Sequence, residues 1–294
     1  DTLAWLSSQW MVEHAPTAPK PVSAREIDMA LAAAENSFDG WAATDVSVRA
    51  RCLEKLAELL EARMPALMAL YSHEGGKTVA DGVAEVREAV DFCRYYAVRA
   101  REDFTPRPLP GPTGEHNQWQ LRGRGVFVCI SPWNFPLAIF VGQVTAALVA
   151  GNSVVAKPAE QTPQVAMAAV ELLYQAGAPR QVLQLIVGGA DVGAHLVSDR
   201  RVAGVAFTGS CAAATAINRN LASRHGPIAT LIAETGGLNA MLVDSSALLE
   251  QVVADVLQSG FQSAGQRCSA LRILLVQDDI ADALISLLTG AMSE

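Results

Sequence analysis

Cys268 stands in the run Ser263-Ala264-Gly265-Gln266-Arg267-Cys268-Ser269-Ala270, 34 residues after the carboxyl side chain of Glu234-Thr235-Gly236-Gly237. A thiol and a carboxyl group are what nucleophilic chemistry on a carbonyl needs. The thiolate attacks, and the carboxylate takes a proton or activates water. Attack on a carbonyl gives a tetrahedral adduct whose oxyanion must be held, and a thioester formed from it must be cleaved by water. A lone cysteine commonly packs as a small hydrophobe, but Gly265, Gln266, Arg267 and Ser269 are poor core neighbours.

Asn134 lies in Ser131-Pro132-Trp133-Asn134-Phe135-Pro136, directly after an apolar run. Its amide can donate to a developing oxyanion or close a turn by bonding the backbone, and the residues alone leave both open. Glu234 ends a strand before two glycines, where partial desolvation would raise a carboxylate toward a base; the plainer role is a solvated strand end. Lys157-Pro158-Ala159-Glu160 also follows a strand. Lys157 and Glu160 there can bond ribose hydroxyls, and Glu160 disfavours a 2′-phosphate, which points to NAD; an exposed ion pair would contribute little. Phe207-Thr208-Gly209-Ser210 joins a strand to a helix start suited to a pyrophosphate. Gly188-Gly189-Ala190-Asp191-Val192-Gly193 has the wrong spacing for a dinucleotide fingerprint and reads as a tight turn.

The elements that must hold these residues follow from periodicity. Ser23-Ala24-Arg25-Glu26 is a capping box, followed by Ile27, Leu31, Ala34 and Phe38 at helical spacing. A second helix is expected over 46–72, with Cys52, Leu53, Leu56, Leu59 and Leu60 inward. A third covers about 81–101, with Val83, Val86, Val90, Cys93 and Ala97 inward. Residues 106–125 read as a connector with a hairpin near 115–124 that could serve oligomerisation. From Gly125 onward, strands Val126–Ile130, Ser153–Lys157, Val182–Val187, Gly204–Phe207 and Ile228–Ala233 alternate with helices near 137–150, 163–176, 190–198 and 210–224. That alternation gives an α/β fold: a Rossmann-like parallel sheet with helices on both faces, its strand C-termini forming one ligand edge. The expected organisation is an irregular segment 1–22, an NAD-binding domain 23–234, and the beginning of a second α/β domain over 235–294.

The 294 residues include 51% hydrophobic and 18% charged side chains, enough for a large core, and the net charge of −8 offers no basic face for nucleic acid. Five scattered cysteines without a C-x-x-C pair argue against a disulfide framework and for a reducing, cytoplasmic setting. The histidines lack ligand spacing, so no metal is expected. No run approaches the roughly 18 apolar residues of a membrane span, and no signal peptide is evident.

Taken together and in this order, these motifs resemble the aldehyde dehydrogenase superfamily from about residue 23 onward. Ala84-Glu85-Val86-Arg87-Glu88-Ala89-Val90-Asp91-Phe92, Glu234-Thr235-Gly236-Gly237 with Thr235 where Leu is usual, and Asp244-Ser245-Ser246-Ala247-Leu248 are similar to the L-glutamate γ-semialdehyde (Δ1-pyrroline-5-carboxylate) dehydrogenases of bacterial proline-utilisation proteins. Gly75 for Ala and Cys211 for Thr are departures. The resemblance implies Cys268 as nucleophile, Glu234 as the activator of water, and Asn134 with the Cys268 N–H as oxyanion donors. It implies Ile130, Pro132, Trp133, Lys157, Glu160, Gly209, Ser210 and Gly236 as NAD contacts, and Ser269 as a substrate contact. It also implies glutamate semialdehyde as substrate, a proline dehydrogenase domain in the same parent chain, a homo-oligomer, and a cytoplasmic protein reaching membranes only through other domains. Only 26 residues follow Cys268, where the family has roughly 200, the size of a domain. The expectation is therefore an inactive, association-prone piece of such a parent, with an exposed apolar patch on Val252, Val253, Val256, Leu257, Leu284, Leu287 and Leu288. The other readings are a non-catalytic NAD-binding lobe and an aldehyde dehydrogenase of different substrate preference.

Overall fold

Gly125 adopts φ +141° and releases the chain into Val126–Ile130 (β3), an apolar run at the centre of a five-stranded sheet. The computed structural model describes residues 22–294. The expected irregular segment 1–22 lies, but for its last residue, outside the described residues. Contacts divide the chain into two compact units at the Glu234–Thr235 bond.

The first unit opens with four helices: α1 (Ala24–Ala42), α2 (Val46–Ala62), α3 (Met64–Gly75) and α4 (Val79–Asp103). The Ser23/Glu26 capping box forms, with Ser23 N–H donating to Glu26 at 2.8 Å. Sequence periodicity ran one helix from 46 to 72, but the chain breaks at Arg63. Pro65 lacks an N–H and opens α3 instead of continuing α2. Val83, expected inward, is exposed on α4, whose buried stripe is Gly82, Glu85, Val86, Ala89, Val90, Cys93, Ala97 and Ala100. The hairpin pairs β1 (Arg107–Leu109) with β2 (Asn117–Trp119), so it begins earlier than the expected 115–124.

Beyond β3 come α5 (Ala138–Val149), β4 (Ser153–Lys157), α6 (Pro163–Gln175), β5 (Leu183–Leu185), α7 (Ala190–Ser198), β6 (Val202–Gly209), α8 (Cys211–Ser223) and β7 (Thr230–Thr235). The strand order is β5-β4-β3-β6-β7, and β3 pairs in parallel with both β4 and β6. Strand side chains alternate between faces. Phe127, Cys129, Val154 and Ala156 join the core under α2–α6, whereas Val126, Val128, Val155 and Val205 join the core with α1, α7 and α8. Burial on both faces explains why these strands read as apolar runs. Asn152 sets where the sheet starts, because its side-chain oxygen accepts the Arg124 and Gly125 N–H groups at 2.7 and 3.3 Å.

The second unit is a βαβ element, β8 (Asn239–Val243), α9 (Leu249–Phe261) and β9 (Leu271–Val276), followed by α10 (Asp278–Met292). β8 and β9 pair in parallel. Val252, Val253, Val256 and Leu284, expected on an open patch, instead bury against one another with Val243. The exposed apolar side chains include Leu242, Ile273 and Leu275 of the two strands. The two helices cover one face of the small sheet and leave alternate strand residues on the other. No described helix is long and apolar enough to cross a membrane.

Candidate functional site

Strand order reverses between β3 and β6: the chain runs outward from β3 through β4 to β5, then returns to the other side of β3 as β6. In open α/β sheets the crevice at the strand C-termini beside such a reversal binds ligands. Gln143 of α5 ties the two strands there. Its side-chain amide donates to the Ile130 carbonyl at 3.3 Å and to the Thr208 hydroxyl at 2.9 Å.

Most of the residues expected to carry chemistry in the first unit end strands on this edge. Ile130 closes β3, and Pro132, Trp133 and Asn134 follow in the connection to α5. Trp133 is 38% exposed and Asn134 half-buried. At its start this connection is held by the Ser131 N–H donating to the Lys157 carbonyl at 3.2 Å. Gly209 and Ser210 end β6 and open α8. The Ser210 hydroxyl accepts the Ala213 N–H at 3.2 Å, leaving an exposed helix start suited to an anion. A Cβ on Gly209 would stand 2.6 Å from the Phe207 ring, so that position takes no larger side chain without moving the ring.

Lys157 is buried, its ammonium donating to the Pro158 carbonyl at 3.3 Å. Burial lowers its pKa, while the Glu160 and Asp191 carboxylates oppose that shift. Glu160 itself is exposed. The glycine segment after β5, read from sequence as a mere turn, proves to be a wall of this corner. A Cβ on Gly189 would meet a Glu160 oxygen at 2.7 Å, and one on Gly193 would lie 3.6 Å from the Lys157 chain. The spacing of the two glycines, four residues apart on one helix face, was the available signal, and Asp191 was missed with them. A buried ammonium beside an exposed carboxylate can bond vicinal hydroxyls, and the α8 start can take a phosphate. These donor sets suit the two parts of a dinucleotide.

Glu234, the last residue but one of β7, the edge strand, is exposed, so the burial expected around it is not supplied there. Gly236, Cys268 and Ser269 belong to the second unit. Cys268 and Ser269 are exposed in the link between α9 and β9. The Asn239 amide holds this link, donating to the carbonyls of Cys268 at 2.8 Å and Ala270 at 3.0 Å. Just before it, Ser263 and Ala264 take left-handed φ of 57° and 54°, unusual for residues with a Cβ, and Gly265 follows at 66°.

Two carboxylates outside the expected set act on this edge from behind. Neither α5 nor α6 has a side-chain cap of its own. Glu74, at the end of α3, accepts the Gln164 and Val165 N–H groups at 2.8 and 3.0 Å, opening α6 just beyond the Lys157–Glu160 loop. Glu85 accepts the Leu137 and Ala138 N–H groups at 2.7 and 3.1 Å, opening α5 just beyond Asn134. Burial raises Glu85 from its ordinary 4.5 to about 7, against the stabilising bonds to its carboxylate. The folded-state value lies above the unfolded one, so this group's stabilisation is full below about 4.5 and is lost as pH rises through about 7. Relative to a Glu85→Gln variant, the native protein is expected to lose up to about 3 kcal/mol across that window, read by urea unfolding at successive pH values. A constant difference between the two proteins rules this out.

Over 293 residues the chain is 53% identical to the bifunctional protein PutA of Klebsiella aerogenes, covering 95% of this chain and 21% of that one. It superimposes on a Bradyrhizobium japonicum proline utilization A variant with a TM-score of 0.94 at 53% identity, over 98% of this chain and 29% of the other. A Thermus 1-pyrroline-5-carboxylate dehydrogenase with bound NAD gives 0.89 at 32% identity, over 92% and 54%. The chain spans about a fifth of the length of the PutA relatives it matches. The aldehyde dehydrogenase family model matches residues 15–294, nearly all of the chain and the whole of the switch-point edge and the cysteine link, and the chain belongs to that family.

Proposed function

We propose that this chain contributes the cofactor-binding lobe and the nucleophile of an NAD-dependent oxidation of L-glutamate γ-semialdehyde to L-glutamate. The observation that carries the reading is the crevice between β3 and β6, which gathers Trp133, Asn134, Gly209 and Ser210 at one strand-end edge beside the Lys157–Glu160 corner. Similarity to PutA and to 1-pyrroline-5-carboxylate dehydrogenase supports the substrate. The bifunctional PutA relatives support a proline-oxidising partner domain in the parent chain, and the reading includes a homo-oligomeric assembly and a cytoplasmic setting.

Lys157 and Glu160 would hold the adenosine ribose, and the start of α8 with Ser210 the pyrophosphate. Ile130, Pro132, Trp133 and Gly236 would complete the contacts. When bound, NAD supplies the hydride acceptor. The Cys268 thiolate adds to the aldehyde carbon, and Asn134 with the Cys268 N–H steadies the oxyanion. Ser269 contacts the substrate. Glu234 takes a proton from the water that cleaves the thioester, returning the thiol.

The test is NADH formation by the full-length gene product with glutamate semialdehyde and with propanal. A preference for propanal would overturn the substrate. A further expected outcome concerns the cofactor: kcat/KM for NAD should exceed that for NADP by at least about tenfold, because an added 2′-phosphate would meet Glu160. Glu160→Ala should narrow that ratio, and an NADP preference in the native protein would mean that Glu160 faces away from the ribose.

A further inference from the structure

Glu85 is the only carboxylate among the buried side chains of the described residues, at 1% exposure. It interrupts an otherwise small and apolar stripe of α4. Burying a carboxyl group is costly unless its bonds require that place, and here one oxygen takes both opening N–H groups of α5. The other oxygen is buried, as is the Tyr71 hydroxyl, and Tyr71 stabilises the carboxylate form of Glu85. Lys77, also buried, adds a positive charge near the carboxylate and lies 5.1 Å from the centre of the Phe135 ring and 5.8 Å from that of Tyr71. Thus α3, α4 and the Lys77 connector converge behind the segment that carries Trp133 and Asn134. That segment is fastened to β4 at Ser131 and to α4 at Leu137.

We propose that Glu85 is a positioning residue: by holding the Leu137 and Ala138 N–H groups it fixes the far end of the Trp133–Asn134 loop and thereby the aim of the Asn134 amide. The inference rests on the reading of Asn134 as an oxyanion donor. It assigns Glu85 no contact with substrate or cofactor. A helix that had to supply its own cap could shift or fray at its first turn, and the Asn134 amide, three residues upstream, would move with it.

The experiment compares native full-length protein with Glu85→Ala and Glu85→Gln. It measures kcat, KM for glutamate semialdehyde, Kd for NAD, and residue-resolved amide exchange at 127–129 and 137–138. Glu85→Gln keeps a carbonyl acceptor of the same reach. The alanine variant is expected to lose about 30- to 100-fold in kcat, the scale of a misaimed catalytic group, with KM and Kd nearly constant. Its exchange at Leu137 and Ala138 should quicken by about tenfold or more, while β3 stays protected. Glutamine should restore both readouts. Unchanged kcat in alanine, unchanged exchange at 137–138, equal losses in both variants, or loosening of β3 as well would each overturn the proposal. Should the alanine variant not fold, Glu85→Asp, which withdraws the carboxylate by one methylene, carries the comparison. Absence of turnover in the native protein would instead refute the proposed function and with it the catalytic half of this inference, and the exchange readout would still decide whether Glu85 pins the loop.

Discussion

In the full-length gene product, replacing Cys268 with alanine is expected to lower aldehyde-dependent NADH formation by at least about 10⁴-fold, the scale of losing a covalent nucleophile, while Kd for NAD changes by less than about twofold. The chain has five cysteines, and burial disqualifies three of them. It pushes the Cys52 thiol up to about 11 and those of Cys93 and Cys129 up to about 12, so none is a thiolate near neutral pH. Cys211 and Cys268 are exposed. Cys211 opens α8 at the end of β6, on the edge proposed to bind NAD, where substitution should alter NAD binding rather than end turnover. Cys268 sits in a link held by backbone carbonyls, so removing its thiol leaves that scaffold intact. Kinetics and NAD titration of Cys268→Ala and Cys211→Ala decide the matter. Full activity in the first variant, or its loss only in the second, moves the nucleophile elsewhere.

The next largest effect belongs to Asn134. Asn134→Ala is expected to cost about 10²- to 10³-fold in kcat, as deletion of an oxyanion donor does, with thermal stability nearly unchanged. The sequence leaves a second role open, that of closing a turn through the backbone. The structure supplies other fastenings for this segment: Ser131 on the Lys157 carbonyl, Leu137 on Glu85, and Gln143 bridging Ile130 and Thr208. These bonds fasten the loop at both of its ends. A lowered melting temperature with kcat reduced only in proportion would return Asn134 to the turn-closing role.

The sheet was legible because strands buried on both faces must be apolar along their length, and Val126–Ile130 and Ser153–Lys157 are. Strand ends were legible through the punctuation that follows them: Ser131-Pro132, Pro158 and Gly209. The break at Arg63 was hidden because Leu59, Leu60, Leu67 and Met68 continue the apolar rhythm across it, and Pro65 could as well have kinked a longer helix. Neither Glu74 nor Glu85 shows its role in the sequence. A cap delivered from 90 or 52 residues away leaves no local spacing to read. The left-handed turn at Ser263 and Ala264 was illegible for another reason: neither residue type favours that conformation.

The distant caps also bear on how the chain is made. Ribosomes deliver α3 and α4 before the helices that their carboxylates will cap, and 52 residues separate Glu85 from Leu137. At roughly 5–20 residues per second that interval lasts about 3–10 s. During it, the inner faces of α2 and α4, with Leu53, Leu56, Leu60, Val90 and Cys93, have no sheet to cover them. The nascent helices therefore depend on one another, or on a chaperone, until β3 and α5 emerge. Slow codons placed between 104 and 137 would lengthen that wait and lower the soluble yield without altering a single amino acid.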